Sequence, residues 1–245
     1  MELHKILIIG ASSGIGAALA VAMARPGRTL GLVARRRSEL DGVAAQVGEK
    51  GGKAVVHTCD ASDDAAVAAC WQAIVAEMGG CDALVYSSGV MPEVGPREFD
   101  IAKDRHIIEV NVIGAMAWLN LGAAHMAGQG KGVLCGIGSV AGDRGRRQAP
   151  AYGASKAALH TYLESLRNRL SVLGVDVVTI KPGPVQTPML GARKLPLTVS
   201  AEVAGRRIAQ AIERGEHTVY VHPGYRLIMG MIRCIPSLLF RRLAI

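Results

Sequence analysis

Apolar residues fall along this chain in short unbroken runs, separated by longer stretches where they recur at three- and four-residue intervals. The runs at residues 5–9, 29–34, 54–58, 83–87, 132–137 and 175–180 have the length and composition of strands buried on both faces. The stretches at 14–24, 38–50, 63–78, 99–127 and 151–173 carry the helical period. A further helix is expected over about 200–214, leading into a seventh strand at 218–222. Regular alternation of strand and helix implies right-handed crossovers. The expected fold is therefore an α/β, Rossmann-type, doubly wound parallel sheet of about seven strands with helices on both faces.

No linker, repeat or low-complexity segment interrupts the pattern, so residues 1–245 are read as one domain. Two stretches break its rhythm. Residues 183–199, which follow Pro182, contain Pro184, Pro188 and Pro196 and read as a substrate loop beyond the sixth strand, where such sheets bind ligands. Residues 225–245 form a basic and apolar tail.

Composition agrees with a single large core. The chain is 50% hydrophobic with only two Phe, five Tyr and two Trp, so Ala, Val, Leu and Ile must fill the interior. Cys59, Cys70, Cys81, Cys135 and Cys234 are odd in number, scattered and without a CxxC pair. That is the pattern of reduced thiols, and it argues against a disulfide frame or a metal site. With no leader segment ahead of the first strand, the expected location is the cytoplasm. The formal charge is +8, and Arg226, Arg233, Arg241 and Arg242 supply four of those charges in a tail without an acid. Few aromatics and no recognition motif speak against nucleic acid as the partner.

The first strand runs into Gly10-Ala11-Ser12-Ser13-Gly14-Ile15-Gly16, with a helix opening behind it. Glycines here allow a tight turn and close approach of a pyrophosphate to the positive end of the helix. The second strand ends in Arg35-Arg36-Arg37, where an NAD-binding chain would place an acid for the ribose diol. Arginine there suits a 2′-phosphate instead. NADP(H) is the expected cofactor, with Arg35 as first candidate and Arg36 sharing the phosphate.

Tyr152-Gly153-Ala154-Ser155-Lys156 opens a long helix, and the i, i+4 spacing sets Tyr152 and Lys156 on one face. An ammonium beside a phenol favours phenolate, so the tyrosine is expected to titrate below its usual value of about 10. Ser139, at the end of the fifth strand, could polarise a carbonyl. Asn111 sits mid-helix, where asparagine is a poor helix former.

Together these pieces resemble the short-chain dehydrogenase/reductase family, from about Lys5 to Pro188. The resemblance implies that Tyr152 is the general acid and that Ser139 holds the substrate oxygen. Lys156 would serve both the phenol and the nicotinamide ribose, and Asn111 would support a proton-relay water. It also implies cofactor contacts from Asp60 at the adenine, from Ser88 and Gly89 after the fourth strand, and from Pro182, Gly183, Val185 and Thr187 on the nicotinamide side. Two departures stand out. Ile9 replaces the family's threonine before the first glycine. Tyr86-Ser87-Ser88-Gly89 replaces its Asn-Asn-Ala-Gly, removing amides that brace the central sheet.

Asp143-Arg144-Gly145-Arg146-Arg147, residues 194–199 and residues 235–243 also look like segments of family members that reduce polyprenyl-phosphate-linked keto sugars. The three arginines of 144–147 could meet a phosphate. In the tail, Arg226 and Arg233 are expected on one helix face opposite Leu227, Ile228, Met231 and Ile232. Neither apolar piece of the tail approaches the ~20 residues needed to span a bilayer. Three placements remain open: the membrane interface, at the inner face of the membrane; the mouth of the pocket; or a sister subunit in a homodimer or homotetramer.

The leading expectation is reduction of a ketone to a secondary alcohol on a bulky or lipid-linked small-molecule substrate. The alternatives are a soluble small ketone, an acyl or sphingoid ketone, or a non-catalytic NADP-binding regulator.

Overall fold

The computed structural model describes residues 2–193 and 195–243. Lys194, one end of the 194–199 segment, and the last two positions of the tail lie outside the described residues.

Seven strands form one parallel sheet: β1 (Lys5–Ile9), β2 (Thr29–Ala34), β3 (Lys53–Thr58), β4 (Ala83–Tyr86), β5 (Gly132–Ile137), β6 (Val175–Lys181) and β9 (Thr218–Tyr220). Their order is β3-β2-β1-β4-β5-β6-β9. The chain reverses its direction of progress between β1 and β4, which pair from Ile6 with Ala83 to Ile9 with Tyr86. The crevice beyond that pair is the ligand position of a doubly wound sheet. Helices α1 (Gly14–Met23), α2 (Arg37–Glu49) and α7 (Ala201–Glu213) cover one face. Helices α3 (Asp64–Met78), α5 (Gly114–Gln129) and α6 (Pro150–Leu170) cover the other. Each side has its own core, built mainly from Val, Ile, Leu and Ala.

The expected helix over 99–127 is present as one run from Ile101 to Gln129, with a π-helical turn inside it. Phe99 and Asp100 precede it, and the Asp100 carboxylate accepts from Ala102 and Lys103 to cap α4 (Ile101–Ile108). A π-helical turn at Glu109–Ile113 then leads into α5. One extra residue per turn is a feature often found at functional sites, and it carries Asn111. By length and composition residues 101–129 could cross a membrane, but Trp118, Leu119 and Met126 are fully buried against the sheet. Two short strands the pattern did not announce, β7 (Val185–Gln186) and β8 (Val199–Ser200), pair in parallel. They clasp the two ends of the proline-rich loop. Beyond β9, the tail forms α8 (Gly224–Cys234) and the single turn α9 (Ser237–Phe240).

Candidate active site

The glycine loop lies at the switch point. Gly10 and Gly14 have φ of 85° and 58°, a left-handed backbone that glycine adopts without strain. A Cβ on Gly10 would lie 2.6 Å from the Ser88 nitrogen, and one on Gly16 would run into the Gly10 carbonyl. The loop is thus pressed between the β4 exit and the start of α1. Helix α1 opens without a side-chain cap, leaving its first N–H groups for an anion. One Arg36 guanidinium nitrogen donates to Ser12 Oγ at 3.0 Å and to Ser13 Oγ at 2.9 Å. Arg35 lies 3.7 Å from Asp60. Burial pushes the Asp60 carboxyl up, but hydrogen bonds from the Ser62 amide and hydroxyl, with Arg35 and His106 nearby, hold it below the usual carboxylate range. Both arginines are where the sequence placed them, but Arg36, not the first-ranked Arg35, bridges the loop. This set of groups fits a dinucleotide phosphate: uncapped N–H donors, two hydroxyls and a guanidinium.

Ser88 presses on Gly10, while Pro182 accepts from Val140 N, Gly183 lies against Tyr225 and Val185 is buried in the core. Thr187 Cγ2 is 3.2 Å from where a Gly14 Cβ would be, so the proline-rich loop reaches across to the glycine loop. A side chain on Gly89 would crowd Asn111 Oδ1 and Lys156 Nζ, at 3.3 and 3.4 Å.

Tyr152, Lys156, Ser139 and Asn111 converge at the carboxyl end of β5. Lys156 Nζ donates to the Ile137 carbonyl at 2.9 Å and stands 5.8 Å from the Tyr152 ring centre. Burial lowers the lysine to about 8. Tyr152 does not titrate low as expected. Burial raises its phenol, and the hydrogen bond with Ser139 opposes this only in part. The ammonium is turned to a backbone carbonyl, so desolvation of the phenol wins. Asn111 is fully buried and fully engaged: Oδ1 accepts from Val90 N at 2.8 Å, while Nδ2 donates to Val90 O and to Ser155 Oγ at 3.1 and 3.0 Å. It braces the loop bearing Gly89 against the helix bearing Lys156.

The missing family amides have a replacement. Tyr86 is wholly buried and donates its hydroxyl to Val110 O, in the π turn, at 2.6 Å.

Sequence reasoning missed a buried polar cluster behind Ser139. The Ser139 N–H donates to His160 Nε2 at 3.3 Å, and His160 Nδ1 lies 3.7 Å from Asp143 Oδ1. That carboxylate accepts from Lys181 Nζ at 2.6 Å and from the Tyr220 hydroxyl at 2.7 Å. Burial, aided by Lys181, drives His160 down to about 3, so the ring is neutral with Nε2 as acceptor. The signal was available, because 152, 156 and 160 share one helix face at successive i+4 steps.

A cavity of about 220 Å³ lies over Tyr152, walled by Gly142, Arg144, Arg146, Ala149 and Pro150. Ala149 has φ 47°, a strained conformation for alanine directly before α6. The tail closes this region. A Cβ on Gly183 would collide with the Tyr225 ring, and the Tyr225 hydroxyl donates to Pro196 O at 3.1 Å. Arg144 donates to Arg233 O and Ile235 O at 3.0 and 2.9 Å and stacks on Phe240. Met229 is the residue α8 buries, whereas Leu227 and Met231 are exposed. At 100° per residue these two share the outer face, with Arg226 and Arg233 together on one side of it.

Residues 4–196 match the family described as short chain dehydrogenase. An uncharacterized oxidoreductase of Myxococcus xanthus is 32% identical over 242 residues, covering 98% of this chain and 96% of that protein. A cis-4-hydroxycyclohexanecarboxylate dehydrogenase of Sinomonas cyclohexanicum is 29% identical, over 86% of this chain and 84% of its own. Among solved structures, a short-chain dehydrogenase from Sphingobium yanoikuyae in complex with NADPH superposes with a TM-score of 0.82 at 26% identity, covering 96% and 97% of the two chains.

Proposed function

We propose that this chain, which belongs to the short-chain dehydrogenase/reductase family and is an NAD(P)-dependent oxidoreductase, uses NADPH to reduce a ketone on a bulky, lipid-linked substrate. The observation that carries the chemistry is the meeting of a half-buried phenol, a buried lysine and the Ser139 hydroxyl at one end of β5.

In this reading Ser139 holds the ketone oxygen, and Tyr152 donates its proton to that oxygen as negative charge develops there. A phenol raised by burial is protonated at neutral pH, which is the state a proton donor needs. Lys156 stabilises the phenolate left behind, and His160 fixes Ser139 through its backbone N–H. Asn111 holds the Gly89 loop in place. A nicotinamide, when bound, supplies the hydride. Gly10 to Gly16 would hold its pyrophosphate, Asp60 its adenine, and Arg36 with Ser12, Ser13 and Arg35 its 2′-phosphate. The solved relative in complex with NADPH supports that choice.

The substrate class rests on the tail and the arginine loop. Residues 143–147, 194–199 and 235–243 look like segments of decaprenylphosphoryl-2-ketoribose reductase. The exposed Leu227, Met231, Leu238 and Leu239, set among arginines, suit contact with a membrane surface. The dehydrogenase from Sinomonas cyclohexanicum supports a second reading, a soluble cyclic alcohol or ketone.

Cofactor choice is tested by titration. NADPH should bind more tightly than NADH, and Arg36→Ala should remove most of the difference, about tenfold or more for a lost charge-assisted bond. Equal affinities in the parent protein would refute the NADP(H) assignment.

A further inference from the structure

A second cavity of about 350 Å³ adjoins the one over Tyr152, and Arg144, Gly145 and Arg146 wall both. Arg147, Arg241, Phe240 and Leu243 complete its lining. Four arginines therefore line one space. No ion pair among the described residues involves any of them. Like charges gathered in this way repel, and they persist where an anion offsets the repulsion.

Their donors are only partly used. Arg144 is committed to the tail, holding the carbonyls after α8 and stacking on Phe240. Arg147 spends one nitrogen on the Arg241 carbonyl at 2.7 Å. Arg146 has only the weak Met229 Sδ acceptor at 3.4 Å, and its Nε–H is buried with no partner. A buried donor without a partner is rare and is open to an acceptor from outside the chain. Each arginine carries five N–H groups in a fork suited to phosphate oxygens. A phosphate offers the negative charge and the acceptor oxygens that these donors lack.

We infer that Arg146, Arg147 and Arg241 form a phosphate subsite next to the cavity that Tyr152 lines, with Arg144 as the strut that holds the tail against it. The site takes a phosphoester whose carbonyl-bearing end reaches Tyr152. Its apolar part leaves past Phe240 and Leu243 toward the exposed Leu238 and Leu239. This inference rests on the proposed reductase reading and deepens it by naming how the substrate is recognised.

The test is competition against NADPH-dependent reduction of a neutral ketone, with three probes: geranylgeranyl phosphate below its aggregation threshold, geranylgeraniol and inorganic phosphate. Geranylgeranyl phosphate should compete at least tenfold more tightly than the alcohol. Arg147→Gln combined with Arg241→Gln should erase that advantage, leaving the alcohol's affinity unchanged. Both side chains lie on the exposed rim, so the fold should survive, and a preserved thermal midpoint and NADPH affinity would confirm it. Inorganic phosphate should bind weakly and lose its binding in the same variant. Equal affinity for phosphate and alcohol, or a phosphate preference that survives the double substitution, would overturn the subsite. Association only with phosphatidylglycerol vesicles, and with none of the monomeric probes, would overturn it too. Failure of the reductase reading is seen separately, as no Tyr152-dependent turnover of any ketone.

Discussion

Replacing Tyr86 by phenylalanine removes one oxygen atom from the interior and tests whether that residue takes over the bracing role of the family's amides. The side chain is wholly buried between β4 and the π turn, and its hydroxyl donates to Val110 O at 2.6 Å. Burial raises the phenol, so it is neutral and acts as a donor at all ordinary pH. Tyr86→Phe leaves a buried carbonyl without that donor, at a cost of about 1–3 kcal/mol. The ring volume is kept, so no large cavity term is added. For a chain of this size about 1 kcal/mol corresponds to roughly 2–4 °C in thermal midpoint. A fall of roughly 2–12 °C is expected, read by calorimetry at fixed protein concentration. Tyr86→Asn restores the family's residue yet should be worse, because the aromatic core on that face is packed around the ring. A midpoint unchanged in Tyr86→Phe would refute the bracing role. So would an asparagine variant more stable than the parent.

Two further outcomes follow from the same geometry. Burial brings Lys156 to about 8 while raising Tyr152, so kcat/KM for reduction should fall above about pH 8 as the ammonium is lost; a profile flat to about pH 10 would contradict this. The exposed tail leucines and neighbouring arginines should give salt-sensitive sedimentation with anionic vesicles, at about 1 kcal/mol per basic residue; Leu238→Glu with Leu239→Glu should abolish it, and no binding at low salt would discard the membrane contact.

Most of the sheet was legible because buried parallel strands write themselves as unbroken apolar runs. Of the seven, β1, β2 and β5 fall at the expected bounds and the others within two residues. The site residues were legible because the chemistry needs fixed spacing: glycines at the turn, and tyrosine and lysine four apart. What stayed hidden depends on three-dimensional contact. The π turn has no period of its own, and only the misfit of Asn111 in a helix pointed to it. Tyr86 read as a loss of bracing because its partner, Val110, lies 24 residues away. The expected fall in the Tyr152 pKa failed for a similar reason. Spacing along a helix tells that two groups share a face, but the Ile137 carbonyl decides where the ammonium points. Which face of the tail helix is buried was left open by the sequence, and packing of Met229 and Tyr225 decides it.

The most direct test of the proposed chemistry is turnover by Tyr152→Phe. NADPH oxidation is followed with a panel of ketones that includes polyprenyl-phosphate sugars, alongside NADPH affinity by titration. The parent should turn over at least one ketone, and the variant should bind NADPH as before while its rate falls by a factor on the order of 10² or more. Undiminished turnover in the variant would place the proton donor elsewhere and contradict the assignment of Tyr152.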